Sequence, residues 1–264
     1  MPSMTYTDAI LLGVLQGITE FLPISSSGHL ILAEKFFQVK GQSLTFDVFL
    51  HLGTLLAVLL YFWRDWLRII SFGRAPGQNP KLLFYLIFAT IPGALAGVML
   101  EDLVATVFRS PLRVAIMLMI MSIPMVVAEI FARKEKSIDE LTLPKALAIG
   151  CAQAIAVIPG TSRSGITMSA GLLVGLKREE AARFSFLLSA PIIAGAGLFE
   201  SLKVLKAGEG FSLVYLCGFV ASFVSGILVI AWLLRFLRNH TFYPFVAYRI
   251  LLAALIFWWV FLNA

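Results

Sequence analysis

The chain has 264 residues, of which 59% are hydrophobic and only 14% are charged, and its mean hydropathy is +0.91. Soluble domains average roughly 45–50% apolar and about 25% charged residues. A chain of this length fills a single core without such an excess. The surplus apolar side chains therefore face lipid, which excludes a soluble enzyme and a disordered chain. The net charge of +6 is typical of cytoplasmic loops, and no nucleic acid is expected as a partner.

Six apolar stretches are long enough to cross the hydrocarbon core, which takes about 20 helical residues. In chain order they cover about 46–63, 82–100, 112–131, 184–202, 213–234 and 243–262. Four more are too short or too broken to span, at about 8–22, 27–38, 145–158 and 164–175. These form two pairs, each joined by a polar link, FLPISSSGH and VIPGTSRSGIT. Irregular backbone at membrane depth is tolerated only inside protein or beside a water-filled cavity, so each pair is predicted to be a re-entrant hairpin.

The two hairpins resemble each other in sequence. When they are aligned, Gly13, Gln16, Ile18, Ser25, Ser27 and Gly28 match Gly150, Gln153, Ile155, Ser162, Ser164 and Gly165. Each half then holds one hairpin and three spans, and because three is odd the halves enter the membrane with opposite orientation. Such inverted repeats are common in transporters. The alternative is chance similarity, since small residues recur in membrane helices.

The predicted fold class is therefore an all-α polytopic membrane protein with an inverted-topology repeat, six transmembrane helices and two re-entrant helix-loop-helix hairpins. Residues 1–264 form a single membrane domain, with repeat 1 at about 1–135 and repeat 2 at about 140–264. With the N-terminus outside, thirteen Lys and Arg residues fall in cytoplasmic loops and six on the outer side. The positive-inside rule thus predicts that both termini lie outside, with the first hairpin entering from that face.

Polar and ionisable side chains are concentrated in the hairpins, where each ionisable group costs roughly 2.5–3.5 kcal/mol to insert. The first hairpin carries Gln16, Thr19, Glu20, Ser25, Ser26, Ser27 and His29, and the second carries Ser162, Arg163, Ser164 and Thr167. If the links meet, this inventory suits phosphate chemistry. Arginine can bind phosphate oxygens bidentately, and histidine can attack or move a proton. Glu20 beside Gln16 can help to hold Mg²⁺ or Ca²⁺.

Each of these residues also has a structural explanation. A Ser/Gly run can be only a turn, His29 can pack between helices, and Arg163 can be a structural counter-ion for Glu20.

Outside the hairpins, the other ionisable groups in or near apolar segments are predicted to be structural. Glu129 and Glu200 are expected to be solvated helix caps, and Arg249 is expected to snorkel or to form an ion pair. His51 and His240 are assigned no role.

Two runs, QGITEFLPISSSGH (Gln16–His29) and PGTSRSGIT (Pro159–Thr167), resemble the signature motifs of the bacterial undecaprenyl-diphosphate phosphatase family, also called the bacitracin-resistance family. The resemblance covers nearly the whole chain. It implies an inner-membrane enzyme, dependent on a divalent cation, that removes the terminal phosphate of undecaprenyl diphosphate at a site open to the outer side. The product is the lipid carrier for peptidoglycan synthesis. The implied partners are this lipid and the bilayer, with a homodimer as a further candidate.

The resemblance also implies roles for single residues. Glu20 takes part in metal binding or acid/base work, either Ser26 or His29 is the nucleophile, and Arg163 holds the diphosphate. We expect the remaining link hydroxyls, Ser25, Ser27, Ser162, Ser164 and Thr167, to bind substrate. Some family members have a second glutamate where this chain has Gln16, although an amide oxygen can still ligate a hard cation.

Two rival functions stay open from the sequence. An anion transporter or lipid flippase with the same inverted repeats could bind an anion without cleaving it. A phosphatase of the phosphatidic-acid type also has S-G-H and S-R motifs. Against this second rival, the chain has no histidine after Arg163 except His240.

Overall fold

The structure is a computed structural model that describes residues 4–37, 44–71, 79–207 and 212–263. These residues form α-helices joined by short links, with no named strand among them. The helices are α1 (Tyr6–Phe21), α2 (Ser26–Phe37), α3 (Leu44–Tyr61), α4 (Trp63–Ile70), α5 (Leu82–Met99), α6 (Glu101–Val107), α7 (Pro111–Ile120), α8 (Ser122–Phe131), α9 (Leu143–Ala154), α10 (Arg163–Leu173), α11 (Arg178–Ala207), α12 (Leu213–Leu237) and α13 (Tyr243–Leu262). The predicted all-α membrane fold is confirmed.

Five helical stretches in the described residues are long and apolar enough to cross a membrane. They are α5, α7 with α8 (Pro111–Phe131), α11, α12 and α13. A sixth arises when α3 and α4, which meet at a 72° bend, are counted as one span. All six predicted spans therefore lie on helices. The sequence did not reveal the bend, because the apolar run simply ends where α4 begins.

The four shorter stretches form two helix-link-helix units, α1 with α2 and α9 with α10. In both links the serine before the second helix has a positive φ, 77° at Ser25 and 73° at Ser162. The Ser25 hydroxyl accepts a hydrogen bond from the Gly28 N–H at 3.3 Å, and the Ser162 hydroxyl accepts one from the Gly165 N–H at 3.1 Å. Each serine thus caps the following helix. The inverted orientation of the two units stays a prediction.

Aligned glycines allow each unit to pack closely against a span. A Cβ on Gly13 of α1 would lie 2.4 Å from the Gly218 carbonyl oxygen of α12, and a Cβ on Gly150 of α9 would lie 2.3 Å from the Ala89 carbonyl oxygen of α5. Only glycine permits such close approach of two helix backbones. These contacts hold the polar links in the interior of the bundle.

Glu129, at the end of α8, is not the solvated cap that the sequence predicts. It is buried, and its carboxylate accepts hydrogen bonds from Arg178 at 2.6 Å, from Lys134 at 2.8 Å and from the Phe242 N–H at 2.8 Å. Three cationic or polar donors offset the cost of burying one carboxylate. Glu129 therefore joins α8 to the starts of α11 and α13.

Candidate active site

A cavity of about 400 Å³ lies where the two links meet α3 and α11. The predicted site residues that line it are Glu20, Ser25, Ser26, Ser27, Ser162 and Arg163. The remaining wall is formed by Ala156 of the second hairpin and by residues of α3 and α11, including Asp47, His51 and Glu200. The predicted meeting of the two links is thus confirmed, and it places hydroxyls, carboxylates and a guanidinium around one space.

Glu20 is the centre of the polar network in this cavity. Its Oε2 accepts hydrogen bonds from the Ser26 hydroxyl at 2.6 Å and from the Gln16 Nε2 at 3.0 Å. Its Oε1 accepts a hydrogen bond from the Arg163 Nη2 at 2.8 Å. The short bond from Ser26 ends on an ionised acceptor, which is the geometry that allows a carboxylate to take a hydroxyl proton.

Arg163 links the second hairpin to the first. Besides its ion pair with Glu20, it donates from Nη1 to the Ser185 carbonyl oxygen at 3.1 Å. Its side chain is 13% exposed and lines the cavity, so part of its donor fork faces the space where a ligand would lie. The structural counter-ion expected as an alternative is therefore present, and the same guanidinium still reaches the cavity.

His29 lies apart from this network. Its Nδ1 donates to the Ser25 carbonyl oxygen at 2.7 Å, and its Nε2 lies 2.7 Å from the Tyr248 hydroxyl. The ring is buried and stacks against Tyr248 at an interplanar angle of 10°. Among the described residues it is not part of the cavity lining, and both of its ring nitrogens are occupied.

Two more predicted site residues bond within the protein. The Ser164 hydroxyl donates to the Leu22 carbonyl oxygen of the first link at 2.9 Å. The Thr167 hydroxyl donates to the Arg163 carbonyl oxygen at 2.7 Å and lies 2.7 Å from the Ser185 hydroxyl. Neither belongs to the described lining of the cavity. Their contacts hold the second link against the first link and α11.

The sequence missed three ionisable residues of the cavity wall. His51 lies one turn after Asp47 on α3, with its Nε2 4.0 Å from the Glu20 Oε2. Its Nδ1 donates to the Asp47 carbonyl oxygen at 2.8 Å, which leaves Nε2 directed at the site. Glu200 lines the cavity from α11 instead of forming the expected solvated cap. Asp47 and His51 lie four residues apart inside an apolar span, and this pair of ionisable residues could have indicated a polar site on α3 from the sequence alone.

Arg249 of α13 stabilises both links, and the expectation of snorkelling or an ion pair is wrong. The side chain is fully buried and donates to the Pro23 carbonyl oxygen at 3.3 Å and to the Gly160 carbonyl oxygen at 3.0 Å. Further bonds go to the Leu118 carbonyl oxygen and the Ser122 hydroxyl, both at 3.2 Å. Carbonyls of the irregular links need donors at this depth, and one guanidinium supplies several.

Gln16 and Glu20 offer the oxygen ligands that a hard divalent cation takes, and of these two residues Glu20 lines the cavity whereas Gln16 is fully buried behind it, outside the described lining. The Gln16 Oε1 is buried and has no hydrogen-bond partner among the described residues, and it lies on the amide that contacts Glu20. The described residues contain no group of three or more His, Cys, Asp or Glu that could hold a metal alone. Mg²⁺ is commonly bound by one or two carboxylates with substrate phosphates completing its shell.

Comparison with known proteins gives a consistent result. Residues 9–255 match the family model described as "Bacitracin resistance protein BacA". The chain is 50% identical over 260 residues to a protein of Moorella thermoacetica named undecaprenyl-diphosphatase, covering 97% of this chain and 99% of that protein. A protein of the same name from Caldicellulosiruptor bescii is 47% identical over 264 residues, which cover 99% of this chain and 100% of that protein.

Proposed function

The chain belongs to the bacitracin resistance protein BacA family, and we propose that it catalyses the reaction for which its relatives are named, the hydrolysis of undecaprenyl diphosphate. The products are undecaprenyl phosphate and inorganic phosphate. The observation that carries this proposal is the cavity in which the Ser26 hydroxyl bonds to an ionised carboxylate beside a guanidinium. A nucleophile, a base and a phosphate-binding cation are the parts that phosphoryl transfer needs.

Purified protein in detergent should release inorganic phosphate from undecaprenyl diphosphate in the presence of Mg²⁺ or Ca²⁺. A matched reaction with undecaprenyl phosphate should release none, because only the diphosphate bond is cleaved. A transporter or flippase would bind the lipid without releasing phosphate, so binding without release would refute the proposal.

In the proposed first step, the Ser26 Oγ attacks the terminal phosphorus as Glu20 accepts the hydroxyl proton. The bond from that phosphorus to the bridging oxygen breaks, and undecaprenyl phosphate leaves with the bonding electrons. Arg163 binds the non-bridging oxygens, whose charge is concentrated during transfer. Glu20 then releases its proton to solvent through the open side of the cavity.

In the second step, water attacks the phosphorus of the phosphoserine. Glu20 takes a proton from this water and returns it to the Ser26 Oγ, so the enzyme regains its starting state as phosphate leaves. His29 acts as a positioning residue in this scheme. Its Nδ1 bond to the Ser25 carbonyl fixes the peptide that precedes Ser26.

We also propose that Gln16 and Glu20 would hold a divalent cation beside the bound diphosphate. When bound, the cation would neutralise charge on the diphosphate. The unpartnered Gln16 Oε1 and the Glu20 carboxylate are the protein atoms that support the proposal.

Chelation and Glu20→Gln should each lower hydrolysis to near background, because the carboxylate serves both the cation and the serine proton. Gln16→Glu should keep most of the activity, since either side chain offers an oxygen to a hard cation. Turnover measured against Mg²⁺ concentration checks this prediction. High activity of Glu20→Gln at saturating Mg²⁺ would contradict it, and so would full activity in chelator.

We propose that the protein lies in the bacterial inner membrane with both termini and the mouth of the cavity on the outer side. The support is the excess of Lys and Arg in the loops assigned to the cytoplasm, of which Arg74 lies outside the described residues. The homodimer stays a prediction.

A further inference from the structure

A second cavity of about 250 Å³ lies between α3, α5 and α11. Its lining includes Leu55 and Leu59 of α3, Leu86 and Ile87 of α5, and Ala190 and Ala194 of α11. All its described lining residues are apolar or aromatic, which contrasts with the ionisable wall of the candidate active site. We call this space the apolar groove.

The apolar groove continues the active-site cavity along α3. On α3, Asp47 and His51 line the cavity, and the next residues at the same four-residue spacing, Leu55 and Leu59, line the groove. Residues at this spacing lie on one face of a helix. At 1.5 Å per residue, Leu59 at the far end of the groove lies about 12 Å along α3 from His51 in the cavity.

On α11 the two spaces border different faces of the helix, because Ile192 and Ile193 line the cavity whereas Pro191 and Ala194, on either side of them in the chain, line the groove. Ala190 and Ala194 line the groove, whereas Ile193 and Gly197 line the cavity. A side chain at position 197 would be crowded, because a Cβ on Gly197 would lie 3.1 Å from the Leu52 Cδ2 of α3. Helices α3 and α11 therefore border both spaces.

The groove is open to the outside of the bundle. Ile87 is 49% exposed and Leu59 is 40% exposed, although both are large apolar residues in membrane helices. A lipid chain can therefore enter from the side while its headgroup lies in the polar cavity. Because Ala190 and Ala194 have small side chains, they leave space in the groove that a larger side chain would fill.

We propose that the apolar groove binds the part of the polyprenyl chain nearest the diphosphate while the diphosphate occupies the active-site cavity. The inference rests on the proposed function and extends it to the chain of the substrate. Because the bilayer is as apolar as the groove, binding gains little from the hydrophobic effect and depends on van der Waals packing. The groove is thus expected to select for chain length and shape more than to supply affinity.

The test fills the groove and compares two substrates. Ala194→Leu and, independently, Leu59→Trp should lower kcat/KM for undecaprenyl diphosphate at least about tenfold, which corresponds to about 1.4 kcal/mol. Geranyl diphosphate, whose chain is too short to follow the groove to its far end, should lose much less. Gly195→Leu is the matched control, because this adjacent exposed residue lines neither space and has no atom within 4 Å of an added Cβ.

The outcomes separate this inference from the proposed function. Hydrolysis of neither substrate by the unmodified protein would overturn the proposed function. If the unmodified protein hydrolyses both substrates and the ratio of their kcat/KM values is unchanged in Ala194→Leu and in Leu59→Trp, only the groove inference is overturned. Bulk lipid would then cover this face. An equal change of the ratio in Gly195→Leu would overturn it too. Retained hydrolysis of geranyl diphosphate shows that each variant is folded.

Discussion

Arg163→Ala should lower turnover by roughly 10²–10³, the loss that follows removal of one donor to a charged transition state. It should also destabilise the protein by roughly 3–5 kcal/mol, because it leaves the Glu20 carboxylate buried without its ion-pair partner. Adding Glu20→Gln removes the orphaned charge, so the double variant should recover much of the stability. It should recover none of the turnover, since Arg163 binds the substrate and Glu20 takes the serine proton.

The measurements are turnover and thermal unfolding in detergent for the two single variants and the double variant. Arg163→Lys keeps the charge and loses the bidentate fork, so it should be more stable than Arg163→Ala and still slow. Arg178→Ala is a matched control, because it breaks another ion pair to a buried glutamate, Glu129, and neither residue belongs to the described cavity lining. It should lower stability with little effect on turnover at permissive temperature. Recovered turnover in the double variant would show that Arg163 acts only as a counter-ion.

The contact between Glu20 and Arg163 was accessible from the sequence. The two links share serine and glycine positions, and costly ionisable groups in related links point to a common site. The positive φ at both Ser25 and Ser162 shows that similar residues form similar turns at the two places. Local chemistry therefore predicted which groups meet.

The rest of the site depends on the packing of distant segments. Glu129 becomes a buried junction only because Lys134, Arg178 and the start of α13 all converge on it. Arg249 is placed against both links by α13, more than eighty residues from either one. A sequence pattern shows that such a charge is expensive, but it does not show which of several remote donors or carbonyls will satisfy it.

His51 and Glu200 illustrate a second limit. Each lies near the predicted end of a span, where solvated polar residues are common, so neither stood out as a cavity residue. In the structure both α3 and α11 present that end to the active-site cavity. Polar side chains that the sequence assigns to the membrane surface thus line a cavity inside the bundle instead.

Ser26→Ala should abolish hydrolysis, with a loss on the order of 10⁴–10⁶, the range seen when a serine nucleophile or its partners are removed from a hydrolase. The reason is geometric, since the Ser26 Oγ lines the cavity and lies 2.6 Å from the Glu20 Oε2. Ser27 lines the same cavity and no hydrogen bond to Glu20 is described for it, so Ser27→Ala should cost far less and serves as the control.

Labelling the terminal phosphate of the lipid identifies the nucleophile directly, because phosphoserine survives acid and phosphohistidine does not. Acid-quenched enzyme should retain label on the peptide that contains Ser26, and Ser26→Ala should retain none. His29→Gln should keep detectable label, since His29 lies outside the described cavity lining and bonds to the Ser25 carbonyl and Tyr248. Acid-labile label that disappears in His29→Gln and persists in Ser26→Ala would assign the attack to the imidazole instead. It would require the Tyr248 contact to open during each turnover.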